Sequence, residues 1–173
     1  MVIWLVGLSG AGKTTIGREV CRLWKQYAPG TVLLDGDDLR RITGQDQTQQ
    51  DYSVDGRRKN AERIVRACDW LNGQDINVVC CVLCIFEDIM RANRVRFTQY
   101  FQVGLDCPLE ELKRRDTKGL YARFGQGLEK NVVGMDIAFS LPRTSDLTLH
   151  TGPGAPSPES LARHILEQAG ALP

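Results

Sequence analysis

A chain of 173 residues is long enough to bury one core and too short for two full domains. Its formal charge of +1, from 22 basic and 21 acidic side chains, argues against the basic surface of a nucleic-acid-binding protein but leaves room for a small anionic substrate held by a few arginines. No apolar run approaches the roughly 18 residues of a membrane span, and the apolar N-terminus lacks the basic flank and cleavage site of a secretory signal, so a cytoplasmic protein with no membrane partner is expected.

The predicted elements begin at once. "VIWLV" reads as a buried strand, and it leads into Gly7-Leu8-Ser9-Gly10-Ala11-Gly12-Lys13-Thr14, a complete G-x-x-x-x-G-K-T, with Thr15 next. Such a loop lets the backbone N–H groups around Gly7, Ser9, Gly10, Ala11 and Gly12 converge on phosphates, while the following helix adds its positive dipole end. Lys13 is placed to reach the β and γ phosphates of a nucleotide, and the Thr14 hydroxyl to take one position on Mg²⁺.

The next strand, "TVLLD", runs into "GDDLR", so Asp35 and Asp37 emerge where open α/β sheets hold their ligands. A carboxylate there can orient Mg²⁺ or accept the proton of an attacking hydroxyl, and Arg40 can clamp an anion. The same residues also permit a plain turn and a capped helix. From Gly56 to Asn72, Ala61, Ile64, Val65, Cys68 and Leu71 recur at helical spacing and predict a helix with a core-facing stripe.

"INVVCCVL" reads as a third strand. Cys81 and Cys84 form a CxxC here, but residues three apart on a strand face opposite sides of the sheet, so neither zinc nor disulfide chemistry is expected. The cysteines at 21, 68, 80, 81, 84 and 107 read as small hydrophobes in a reducing compartment.

After the strand "FQVGLD", the stretch "CPLEELKRRD" predicts a short helix with Pro108 in its first turn, acids early and bases late. The region of about residues 114–133 is rich in glycine and basic residues, lacks a clean period, and reads as a mobile lid; an ordinary surface loop is the alternative. A strand "LTLH", a turn-rich spacer "TGPGAPSPES" and a helix over about 157–170 close the chain. Ser157 would cap that helix, Pro158 start it, and Leu161, Ile165 and Leu166 face inward. Alternating strands and helices without repeats predict an α/β fold, a single doubly wound parallel sheet spanning 1–173.

A switch GTPase or a motor ATPase shares the phosphate loop. However, no recognisable switch loops follow the lysine and no Asn-Lys-x-Asp is present for guanine, so a small-molecule kinase is favoured.

"GLSGAGKTT", "LDGDDLR", "LDCPLEELKRRDTKGLY" and "NVVGMD", in that order between Met1 and about Thr151, resemble the adenylyl-sulfate kinase family. The resemblance implies a P-loop kinase fold with a lid, MgATP-dependent phosphorylation of the 3′-hydroxyl of adenosine 5′-phosphosulfate, service to sulfate assimilation or sulfation, and a homodimer as one assembly. By residue, it implies Lys13, Asp35 and Asp37 as the catalytic set, with Thr14 and Asp35 at the metal. Arg40, Arg57 and Asn60 would contact the acceptor's anionic group and sugar, and Tyr52 its base. Arg115 would touch a phosphate, and Lys118, Gly119 and Leu120, with Tyr121, would belong to the lid.

Departures from the family pattern gather at the acceptor. The family's D-R-x-E-N becomes Gly56-Arg57-Arg58-Lys59-Asn60, and its I-S-P stretch becomes Leu83-Cys84-Ile85-Phe86, leaving Cys84 and Ile85 on the acceptor side without the family's serine. Val132 stands where the family has a second base-stacking aromatic. Losing one ring of a two-sided stack forfeits about 1 kcal/mol or more, which a pyrimidine would suffer less. The alternative acceptor is therefore a related nucleotide such as cytidine diphosphoramidate in capsule modification, whose kinases also resemble this family. A non-catalytic nucleotide-binding regulator is a third reading, opposed by the intact Lys13, Thr14, Asp35 and Asp37 set.

Overall fold

The computed structural model describes residues 1–172. Strands β1 (Val2–Val6), β2 (Thr31–Asp35), β3 (Asn77–Val82), β4 (Tyr100–Asp106) and β5 (Leu147–His150) form one sheet in the order β2-β3-β1-β4-β5. Every pairing is parallel, as the alternating pattern predicts. The helices are α1 (Lys13–Trp24), α2 (Gly36–Ile42), α3 (Val54–Asn72), α4 (Glu87–Arg96), α5 (Leu109–Arg115), α6 (Leu120–Gly125) and α7 (Pro158–Gln168).

β1 is central and wholly buried, so it is apolar on both faces. Ile3 and Leu5 pack with α1 and α7, while Val2, Trp4 and Val6 pack with α3 and α4. The CxxC is also separated, although β3 ends at Val82 and Cys84 lies beyond it: Cys81 joins the α1 side and Cys84 the α3 side, and all six thiols are free. In-register pairing of Val6 with Val82 and Gly104 brings the C-terminal ends of β1, β3 and β4 to one edge, where the site forms.

Local chemistry sets the helix ends. α3 begins two residues before the predicted Gly56, because Ser53 at its N-cap accepts a hydrogen bond from the Gly56 N–H at 3.1 Å. Pro108 lies at the N-cap of α5, just outside the helical turn predicted to hold it. Ser157 and Pro158 start α7 as expected. The segment at about 114–133, expected to stand apart from the core, contains α6, and its Tyr121 and Val132 join the core. Two contacts explain this: the Tyr121 hydroxyl donates to the Ser9 carbonyl at 3.0 Å, and Asp136 accepts from the N–H groups of Asn131 and Val132 at 2.8 and 2.5 Å. No helix among the described residues is long and apolar enough to cross a membrane.

Candidate active site

The loops after the strands surround a cleft of about 1160 Å³. On one side is the phosphate loop. Gly10 and Gly12 adopt φ of 80° and 92°, the left-handed region that glycine enters without a Cβ penalty. No side chain caps α1, which leaves its first N–H groups to an anion, and Ser9 through Thr15 line the cleft. Lys13 Nζ donates to the carbonyls of Gly7 and Leu8 at 2.9 and 2.7 Å. Loss of water around this ammonium lowers it to about 8, against the opposing pull of Asp37.

The turn-and-capped-helix reading of "DGDD" holds. Asp35 Oδ1 accepts from the Asp37 N–H at 2.9 Å and caps α2, while Oδ2 accepts from Thr14 Oγ1 at 2.6 Å. With both oxygens so engaged, Asp35 binds the P-loop helix to the end of β2. Asp37, one residue into α2, points a freer carboxylate into the cleft and pairs with Lys118 from the lid segment. Desolvation opposes its charge, but Lys118 and Lys13 keep the Asp37 carboxyl below its usual range. Among the described residues no cluster of three His, Cys, Asp or Glu could cage a metal. The adjacent Thr14 hydroxyl and Asp35 carboxylate are instead the one or two hard oxygen donors that suffice for Mg²⁺ when phosphates and water supply the rest.

Across the cleft, Arg40 on α2 is only 5 % exposed and donates to the Asp51 carbonyl at 2.6 Å. Its guanidinium lies 4.8 Å from the centre of the Tyr52 ring, and that of Arg57 on α3 lies 5.9 Å from the same ring. Arg57 also donates to the Asn131 carbonyl at 2.8 Å, and burial with help from Arg40 lowers it to about 10. Among the described residues neither arginine has a carboxylate partner within salt-bridge distance, while Arg57 Nε and Asn60 Oδ1 are buried without hydrogen bonds. A buried and a half-buried cation beside an aromatic face, with the Arg57 Nε unpaired, could receive an anion. Arg63 Nη1, one turn beyond Asn60, is likewise buried and unpaired; the spacing of 57, 60 and 63 along one helix was the signal for it in the sequence.

At the other end, the "spacer" is part of the wall: Thr151, Gly152, Pro156 and Leu161 line the cleft with Arg115. Arg115 donates to Glu111 at 2.8 Å, to the Thr151 carbonyl at 2.7 Å and to the Gly10 carbonyl at 3.5 Å. Each of its three nitrogens thus directs one N–H at a protein oxygen, and one N–H on each terminal nitrogen is left over. Glu111 is held down to about 2, first by Arg114 and then by Arg115.

Of the residues marked in the sequence, the cleft gathers Lys13, Thr14, Thr15, Asp35, Asp37, Arg40, Tyr52, Arg57, Asn60, Arg115, Lys118 and Leu120. Gly7, Cys84, Ile85, Gly119 and Val132 do not line it. Gly7 lies behind the loop with its carbonyl on Lys13, and Gly119 is a left-handed turn at φ 63° behind Lys118. Cys84 is fully buried with its thiol on the Phe86 carbonyl at 3.8 Å, Ile85 packs on the α3 side, and Val132 is 1 % exposed within the core.

A parallel sheet in this order, a phosphate loop after its central strand and a hydroxyl–carboxylate pair at the next strand's end define a P-loop kinase. The family model for adenylylsulphate kinase matches residues 1–150, and the chain belongs to that family. A cytidine diphosphoramidate kinase of Campylobacter jejuni is 36% identical over 86% of this chain and 85% of its own length. An adenylyl-sulfate kinase of Pseudomonas aeruginosa is 35% identical over 87% of this chain and 76% of its own. The APS kinase of Mycobacterium tuberculosis, solved with AMPPNP and APS, superposes with a TM-score of 0.86 at 26% identity, covering 98% of this chain and 96% of that one.

Proposed function

We propose that this chain transfers the γ-phosphate of ATP to the 3′-hydroxyl of adenosine 5′-phosphosulfate, acting as a single domain in the cytoplasm. The observation that carries the reading is the pair of guanidiniums over Tyr52, Arg40 buried and Arg57 half-buried, that share the cleft with Asp37 and the P-loop and have no carboxylate partner among the described residues. That arrangement suits an anionic group, a base and a sugar hydroxyl held in line with a triphosphate.

In this mechanism Lys13 exchanges the Gly7 and Leu8 carbonyls for the β and γ phosphate oxygens. The Thr14 hydroxyl, with Asp35 beside it, would hold Mg²⁺, which when bound would supply charge neutralisation on those phosphates. Asp37 is the carboxylate that orients the acceptor hydroxyl and takes its proton, because both Asp35 oxygens are already engaged. Lys118 and Leu120 cover the nucleotides and keep water from the γ-phosphate.

A second reading, cytidine diphosphoramidate as acceptor, is favoured by Val132, whose burial leaves Tyr52 as the one aromatic among the described residues that line the cleft. A coupled ATP-consumption assay with purified protein and Mg²⁺ decides between them. Turnover of the phosphosulfate in preference to cytidine diphosphoramidate is expected. Turnover of the cytidine compound alone would move the assignment to the second reading, and turnover of neither with ATP still bound would make the protein a regulator.

A further inference from the structure

Gly17 lies inside α1, buried, and its φ is not in the left-handed region that glycine alone enters freely. Alanine would be the better helix former at such a position, so the glycine is there for space. A Cβ on it would stand 2.2 Å from Cys81 Sγ and 3.3 Å from Leu33 Cδ1. The sulfur fills that notch, and from it the Cys81 thiol donates to the Lys13 carbonyl at 3.1 Å. This is the carbonyl that the helical pattern pairs with the Gly17 N–H, so the thiol engages the first turn of α1 at Lys13 itself. Cys81 is fixed from both sides, in register with Leu5 on β1 and Asp35 on β2, and it lines the cleft while only 2% exposed. Asp35 in turn accepts from the Thr14 hydroxyl at 2.6 Å. Two consecutive residues of the P-loop helix are thus tied to two paired strands, Lys13 to β3 and Thr14 to β2.

We propose that Cys81 is a positioning residue: its thiol, seated in the notch at Gly17, fixes the first turn of α1 so that Lys13 and Thr14 stand ready for the donor's triphosphate. The proposal rests on the ATP reading above. Arg40 and Arg57 belong to α2 and α3, which makes acceptor binding a control.

The test is calorimetric titration of MgATP into the full-length protein, well below its thermal transition, with melting temperatures taken on the same samples. Gly17→Ala is expected to weaken ATP about tenfold, by driving the sulfur off its carbonyl or lifting the helix, even though alanine favours a helix. Adding Cys81→Ala removes the sulfur, and the double variant should recover to the level of Cys81→Ala alone. That single variant should weaken ATP about fivefold, within the range of one hydrogen bond, while Cys81→Ser, which restores a donor, should stay within about twofold of wild type. In turnover kcat/KM for ATP should fall in step, with the KM of the acceptor unchanged. Wild-type affinity in Gly17→Ala would overturn the proposal. So would equal losses in Cys81→Ala and Cys81→Ser, or melting temperatures that fall with ATP affinity untouched, and these two Cys81 variants decide the matter where Gly17→Ala does not fold. A wild-type protein that fails to bind ATP would instead overturn the kinase reading beneath it.

Discussion

Lys13 needs its charge for phosphate and sits where that charge is poorly solvated. Its ammonium titrates near 8 in the folded chain, so kcat/KM for ATP should fall as pH rises through about 8. Stability from this group has the opposite sign. Between about 8 and its ordinary 10.5 the unfolded chain binds the extra proton, and this contribution to stability rises with pH there. A pH–rate profile that falls above 8 while the melting temperature of the same samples does not follow it would match; a rate flat to pH 10 would not. Lys13→Ala should abolish turnover with the circular dichroism spectrum unchanged, and wild-type rate in that variant would sink the catalytic assignment. Tyr52→Ala should raise the acceptor KM by about five- to a hundredfold, the value of one base–aromatic stack, with ATP affinity unaffected. Val132→Phe, which on sequence grounds would restore a second ring, meets a different constraint. At 1% exposure in the core, the larger side chain should cost about 1–3 kcal/mol of stability, read from denaturant midpoints, before it can meet any base.

At the scale of elements, Lys118 carries one end of the lid segment onto α2 through Asp37. Both partners are well exposed, so the pair contributes little to global stability, and its effect should appear in turnover. Lys118→Ala is expected to lower phosphoryl transfer and to raise the fraction of ATP hydrolysed without acceptor, measured by comparing phosphate release with product formation; an unchanged ratio would remove the lid role. Strands such as β1 and β2 could be read from the sequence because one short apolar run fixes each of them. The P-loop was legible for the same kind of reason: its chemistry is local in sequence. The lid segment was not, since Tyr121 and Val132 are held by Ser9 and Asp136 through contacts that no local period announces. Likewise "TGPGAPSPES" has only turn chemistry in its letters, and becomes a cleft wall because β5 returns its end beside Gly10 and Arg115. Cys84 and Ile85 were placed at the acceptor by the family resemblance, but the chain touches the cleft at Val82 and Leu83 and then turns toward the α3 side, where Cys84 and Ile85 pack.

For the whole molecule, the family match ends at residue 150, whereas the core does not. α7 buries Leu161, Ala162, Ile165 and Leu166 in the cluster that also contains Val20, Leu23 and Trp24 of α1, and Arg22 reaches Glu159 at 3.5 Å between the two helices. α1 is the helix whose N-terminus forms the phosphate site, so its alignment depends on a partner beyond the matched region. Full burial of each large aliphatic side chain is worth about 1.5–3 kcal/mol, and three of them approach the 5–15 kcal/mol by which typical domains are stable. A chain ending at His150 should therefore lose its cooperative thermal transition and its nucleotide binding together, observed by calorimetry with and without MgATP. A sharp transition retained in that truncation would mean that residues 1–150 fold alone and that α7 is an accessory, which would contradict the single domain proposed over 1–173.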